Sequence, residues 1–324
     1  MKVKTGILLV GFGGPRSLSE VAPMLERVMG TTPPPPLVAA SQKKYELIGG
    51  KSPQVEIAEN IAEELLARWQ QITEFNRIEW GEYVQHCEIG MCFTEPFLED
   101  SVARLAETGC EQIIYLSMTA FESSVAWIQP FRRTQEAAEK VGIPKSKVVA
   151  APVFGNSLPY MQAHMQQVAT ATECAEGGTE LVFVAHSLPL DNEDEITARY
   201  EQQLIEACGY IAHILETNYG LTYVSAGARG GQWLEPNLSG YMKDLAEKLR
   251  RPPGTTVVVC PLGFATDHME VLYDLDIAAA KDAQELGFNF VRTPTLATTG
   301  EVHPALITAL VDSVFAALSE GSAL

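Results

Sequence analysis

The sequence predicts an α/β protein made of two doubly wound halves joined near residues 150–160. Three observations lead there. Apolar runs of strand length alternate with amphipathic segments of helix length along all 324 residues, the order expected of βα units. The strand runs are continuously apolar, as in "GILLV", "QIIYL", "LVFVA" and "TVVVC", which suits parallel strands covered on both faces. A faint internal repeat also pairs "TGILLVGFGGP" with "TELVFVAHSLP", and "CEQIIYLSMTAFESS" with "TTVVVCPLGFATDH". The expected domains are 1–154 and 155–324, with the last helix able to return to the first half.

In chain order, the apolar runs place strands at 6–12, 83–92, 112–118, 148–154, 180–185, 221–225, 255–260 and 288–292. Amphipathic segments between them place helices near 18–29, 54–72, 96–108, 130–141, 158–173, 193–217, 237–250, 267–286 and 302–319. "TTPPPP" (31–36) reads as a stiff polyproline-like loop. In doubly wound folds ligands sit beyond the carboxyl ends of the strands. That rule selects four loops: "GFGGP", "SMTAFESS", "AHSLP" and "PLGFATDH".

Composition narrows the chemistry. The chain is 46% apolar and 20% charged, enough to bury a substantial core. Its formal charge of −18 argues against nucleic acid as a partner, which needs a basic face. No run of 18 or more apolar residues offers a membrane span, and the N-terminus does not read as a signal peptide. The six cysteines are dispersed without a CxxC or an iron–sulfur spacing, as expected of reduced cytosolic thiols. Cys87 and Cys92, beside His86, fall on opposite faces of a strand and do not converge on a metal.

Four motifs carry the functional reading. "GFGGPR" (11–16) has Arg16 where a dinucleotide fingerprint needs its third glycine, so it is a close-approach turn presenting Phe12 rather than a nucleotide site. His186 in "VAHSLP" stands just past a strand, suited equally to catalysis or ligation and to an ordinary strand-end hydrogen bond. "DHMEVLYDLD" carries Asp267, His268, Glu270, Asp274 and Asp276 within ten positions. Asp267 and Glu270 read as a capping-box-like helix start, and Glu270 and Asp274 share a face four residues apart. Solvated surface and a carboxylate ladder for a cation both satisfy that spacing. "GGQWLEP" holds Trp233 in a turn, as a plug or as a flat surface for a flat ligand, and "YELIGGKSP" surrounds a Gly–Gly turn with Tyr45, Lys51 and Ser52, next to Lys44.

Together these motifs, with "FTEPFLEDSVARLAETG", resemble the ferrochelatase family, the type II chelatases that insert ferrous iron into a porphyrin. The match is collinear over nearly the whole chain. Its most specific part is a His-Ser-Leu-Pro loop combined with Asp-His-x-Glu-x-Leu-Tyr-x-x-Asp. The resemblance implies two Rossmann-like domains, each a parallel sheet flanked by helices, with a porphyrin cleft between them. It implies His186 and Glu270 as catalytic and metal-binding residues facing each other across that cleft, with Asp274 continuing the metal path. It also implies His268 and Trp233 shaping the pocket and Phe12 over the macrocycle.

The "FGGP" turn and "HMEVLYDLD" most resemble the enzymes of Gram-positive bacteria that metallate coproporphyrin III. Enzymes acting on protoporphyrin IX share the core motifs. Lys44, Tyr45, Ser52 and Arg229 are the donors expected to meet porphyrin carboxylates. The expected partners are porphyrin and ferrous iron as substrates, with no permanently bound cofactor, no iron–sulfur cluster and a downstream haem acceptor in the cytoplasm. The chain departs from the family in four places. Phe12 stands where some members have a tyrosine, and Arg27 only neighbours an expected arginine. Pro130 or Phe131 stands where a tyrosine often contacts a propionate, and Ala278 ends the acidic ladder early. Two other readings keep parts of this pattern: a cobalt or nickel chelatase for a related tetrapyrrole, and a non-catalytic tetrapyrrole carrier.

Overall fold

The computed structural model describes residues 3–78, 83–175, 177–190, 195–227 and 231–321. It divides into two units, one formed by Met1–Phe154 with Ala297–Leu324, the other by Gly155–Leu296.

The first unit is built on β1 (Thr5–Gly11), β2 (Val84–Met91), β3 (Gln112–Ser117) and β4 (Val148–Ala150). They form a parallel sheet in the order β2-β1-β3-β4. Every β1 residue is buried, as its unbroken apolar run requires. On one face Leu8, Val10, Ile113 and Tyr115 pack with residues of α4 (Leu98–Glu107) and α5 (Gln129–Lys140). α3 (Gln54–Phe75) contacts β1 and β2, and the terminal helix α10 (Pro304–Gly321) contacts β3, β4 and α3. Trp69 of α3 is fully buried against Phe315 of α10, ring centroids 4.5 Å apart.

The second unit repeats the plan. β5 (Thr179–His186), β6 (Tyr219–Val224), β7 (Thr256–Cys260) and β8 (Asn289–Arg292) make a parallel sheet in the order β6-β5-β7-β8. Val182, Val184, Val257 and Val259 pack beneath α8 (Leu238–Glu247) and the segment running through Glu270–Ala279 into α9 (Ala280–Glu285). α6 (Leu158–Glu173) contacts β7, and α7 (Glu195–Ile214) contacts β6 and α6.

Some local expectations are corrected. The 31–53 region is not all loop: α1 (Val21–Met29) is followed by α2 (Pro35–Leu47), which begins with proline in its first turn, where the missing N–H costs nothing. Lys44 and Tyr45 therefore sit on the last turn of a helix. A short hairpin, β9 (Ala297–Thr298) with β10 (Glu301–Val302), precedes the terminal helix. Glu270–Ala279 is a π-helix rather than an α-helix. Its buried residues, Val271, Leu275 and Ala279, with Ala283 beyond, are spaced four apart. Asp267 does not cap it: the residue before the helix is Met269, with no side-chain cap, and the Asp267 carboxylate turns elsewhere.

The loop after β7 lies directly on β5. The Gly263 N–H donates to the Val184 carbonyl at 3.0 Å. A methyl group at Gly263 would come within 2.5 Å of both Cα and Cβ of Ala185. Gly263→Ala is therefore expected to lower stability by about 1–3 kcal/mol, since the obstacle is backbone and a short side chain with nowhere to move. Urea unfolding should show a lower midpoint with an unchanged slope.

Candidate active site

His186 is the last residue of β5, and its backbone pairs with Val224 of β6. Because β6 and β7 lie on opposite sides of β5, the connections leaving β5 and β7 diverge there, which makes the end of β5 a topological switch point. The Tyr200 hydroxyl, from α7, donates to the His186 carbonyl at 3.0 Å and anchors the strand end. The imidazole Nδ1 bonds to the carbonyl of Ser187. A carbonyl only accepts, so Nδ1 carries the hydrogen and the lone-pair nitrogen of the neutral ring is Nε2. Nε2 lies 3.3 Å from Glu270 Oε1. The two side chains are 37% and 27% exposed, so a ligand can reach both.

This corrects one expectation. His186 and Glu270 belong to the same unit and touch each other directly, rather than facing each other across two domains. The close approach of the β7 loop to β5 is what lets Glu270 arrive.

The structure sorts the five ionisable residues of the acidic run. Glu270 meets His186. Asp274 accepts a hydrogen bond from Ser225 Oγ at 2.7 Å. Asp276 receives the Arg292 guanidinium through Nε and through Nη2, the latter at 2.9 Å. Asp267 is buried, accepts from Thr295 Oγ1 at 2.8 Å and lies 3.9 Å from Arg292. His268 packs edge-on against Phe264, ring centroids 5.0 Å apart. Two of the acids thus share one inward-facing arginine, only 16% exposed, and serve to hold the helix.

Burial works against charge on His186, yet Glu270, the Ser187 carbonyl and Asp274 together raise its pKa above 6.5. Burial dominates at His268 and lowers its pKa. Burial also pushes the Asp267 carboxyl up, against the opposing pull of Thr295 and Arg292. Two imidazoles in neighbouring positions are thereby tuned in opposite directions.

The remaining expected residues fall as follows. Trp233 is half-buried, and its loop is zipped to the histidine loop: Leu190 N donates to Gln232 O at 2.7 Å, and Leu234 N to Leu188 O at 2.9 Å. Phe12 is half-buried at the end of β1 and lies against Phe93, centroids 4.6 Å apart. Its turn needs Gly13, where φ is +90° and an added methyl would stand 2.4 Å from Thr94 Oγ1. Ser52 and Tyr45 are buried. The Ser52 N–H donates to the Pro15 carbonyl at 2.7 Å, so this residue braces the "GFGGP" turn. Lys44 is half-buried. Arg229 lies outside the described residues. Cys87 and Cys92 are free thiols pushed up to about 12 by burial.

Sequence reasoning missed Ser225, Ser187, Arg292 and Thr295. No spacing marks Ser225, Arg292 and Thr295, which reach the acids from elsewhere in the chain, while Ser187 lies inside the "AHSLP" motif and acts through its backbone carbonyl, which no side chain signals. Ser225 is also the first residue after β6 and has φ +62°, a left-handed conformation that costs a non-glycine residue on the order of 1–3 kcal/mol.

A family model described as Ferrochelatase matches residues 4–318. The coproporphyrin III ferrochelatase of Halalkalibacterium halodurans is 30% identical over 90% of this chain and 91% of its own. The ferrochelatase of Aquifex aeolicus is 28% identical over 96% of this chain and 99% of its own. Among solved structures, SirB from Bacillus subtilis with Fe3+ aligns with a TM-score of 0.58 at 14% identity, covering 98% of each chain, a likeness of fold.

Folding favours the protonated ring, so the stabilisation from the His186–Glu270 contact is full below about pH 6.5 and is lost as pH rises through the folded-state pKa. Glu270→Gln removes the raising carboxylate and leaves the burial. The His186 ring resonance, followed by NMR, should titrate above 6.5 in the parent protein and distinctly lower in the variant. The stability gap between the two proteins should narrow over the same rise in pH.

Proposed function

The chain belongs to the ferrochelatase family, whose reaction inserts Fe2+ into a porphyrin in haem biosynthesis, and we propose that its porphyrin is coproporphyrin III and that His186 and Glu270 carry the chemistry. The observation behind this reading is the contact of His186 Nε2 with Glu270 Oε1 at 3.3 Å while Nδ1 is held by a backbone carbonyl. Histidines that ligate metals usually donate their second N–H in this way, which fixes the ring and raises its basicity.

The reaction asks for two things. A hydrated ferrous ion must exchange water for protein donors, and two pyrrole protons must leave. An imidazole nitrogen and a carboxylate are suitable donors for Fe2+. The same two groups are two proton acceptors side by side, matching the number of protons released. Glu270 lies in the first turn of its helix, where the positive end of the backbone dipole favours the ionised carboxylate. Asp274 continues the metal path as the next acid on the helix. Trp233, through the zipped loops, and His268, as a ring of low basicity, form the porphyrin surface beside the pair. Phe12 and Lys44 complete the porphyrin contacts in this reading, with Arg229, Tyr45 and Ser52 as further donors, Ser52 also bracing the "GFGGP" turn.

Coproporphyrin III is favoured because the "FGGP" and "HMEVLYDLD" motifs are of that kind and the Halalkalibacterium halodurans relative bears that name. The reading also has iron passing through as substrate, with no permanently bound cofactor or iron–sulfur cluster. The protein would act in the cytoplasm and release its product to a haem acceptor. Six free cysteines accord with a reducing compartment.

Anaerobic metallation followed by porphyrin absorption tests this. Fe2+ should be inserted faster into coproporphyrin III than into protoporphyrin IX. His186→Ala and Glu270→Ala should each lower turnover by roughly 100-fold or more, while porphyrin binding, read by fluorescence quenching, persists. Faster insertion of Co2+ or Ni2+ would move the assignment to another chelatase. Porphyrin binding without insertion of any metal would identify a carrier.

A further inference from the structure

We propose that Ser225 is a positioning residue for iron delivery, its hydroxyl holding Asp274 in one orientation beside the His186–Glu270 pair. The inference rests on the iron-insertion reading above and extends it to a residue outside the acidic run.

The first observation is conformational. Ser225 has φ +62°, a region that glycine occupies freely and that asparagine and aspartate tolerate better than serine. A strained backbone at a site calls for a function of the side chain placed there. The second is the contact itself: Ser225 Oγ donates to Asp274 Oδ2 at 2.7 Å, a charge-assisted hydrogen bond linking the end of β6 to the middle of the π-helix. The third is register. Val224 is the sheet partner of His186, and the Ser187 N–H donates to the Val224 carbonyl at 2.8 Å. Ser225 thus leaves the sheet one residue beyond the partner of the imidazole and turns back to the helix carrying Glu270.

The left-handed turn produces this reversal. An extended residue at 225 would carry the chain on along the strand direction, and the hydroxyl would miss Asp274. A hydroxyl that gives its hydrogen to a carboxylate keeps its oxygen lone pairs, so Ser225 and Asp274 together present hard oxygen atoms next to the softer imidazole. Holding the carboxylate in one rotamer removes the entropy an incoming hydrated cation would otherwise have to take from it.

The test compares Ser225→Ala, Ser225→Gly and Ser225→Asn in anaerobic metallation, varying Fe2+ and coproporphyrin III separately, with Co2+ titration of the porphyrin-free protein by absorption as a readout independent of turnover. Alanine keeps the strain and loses the hydroxyl; glycine loses both. Asparagine accepts the conformation and restores a donor. The expected result is a KM for iron raised roughly 10-fold or more in both the alanine and glycine variants, with Co2+ affinity weakened in parallel, the porphyrin KM unchanged, and partial recovery in the asparagine variant. Normal iron KM and normal Co2+ affinity in the alanine and glycine variants would overturn the proposal while leaving iron insertion intact. Wild-type behaviour in the glycine variant alone would also overturn it, by assigning the effect to the backbone. Failure of the parent protein to insert iron would remove the underlying reading and this inference with it.

Discussion

The chemistry of the second unit depends on how closely one segment of chain can approach another. Gly263 lies where any side chain would meet Ala185, so the loop leaving β7 can rest on the last residues of β5. From that contact the chain continues through Phe264 and Asp267 into the helix that brings Glu270 to His186. A larger residue would hold the loop off by a fraction of the 3.3 Å that separates imidazole from carboxylate. Backbone hydrogen bonds set the rest. The Ser187 carbonyl orients the ring, and pairing between the 187–190 and 232–234 segments ties Trp233 to the same strand end.

Electrostatics follow from this frame. Five ionisable residues in ten positions, in a chain of formal charge −18, form a cluster that must either disperse or find partners. The fold gives Asp276 and Asp267 to a single inward arginine on β8, and that arginine secures the helix to the sheet edge. Glu270 and Asp274 are given to groups that can exchange partners, an imidazole and a hydroxyl. What separates the two pairs of acids is what crosses from other strands to meet them, not the acids themselves.

That is also the limit of what the sequence made legible. Continuous apolar runs such as "GILLV" and "TVVVC" were sufficient to place the buried central strands β1, β3, β5 and β7, while the edge strands β2 and β8, partly exposed and interrupted by polar residues, were placed by the strand–helix alternation. Residue pattern alone left His186 and Glu270 open between structural and chemical roles, and it was the resemblance of their two motifs to the ferrochelatase family that singled them out. By contrast, four prolines before 37 looked like a polyproline loop, yet two of them open a helix. The acidic helix looked α-helical because Glu270 and Asp274, four apart, share a face on either kind of helix. The four-residue spacing of Val271, Leu275 and Ala279 likewise fits either helix, so nothing in the apolar pattern marked the wider turn. Ser225 and Arg292 had no local sign, since their roles arise from strand neighbours 49 and 16 positions away from the acids they hold.

Both sheets place their first strand second from the edge, followed by the same order of neighbours. At the end of that strand one unit carries Phe12 in a glycine turn, and the other carries His186 before a serine. Interior packing is carried by the strand residues that precede them, and Phe12 and His186 are themselves only half-buried. Folding and chemistry are therefore separable properties of this chain: a frame can occur twice, and the residue at its mouth can change without disturbing what lies beneath. In one copy that mouth holds an aromatic ring, in the other an imidazole that meets a carboxylate.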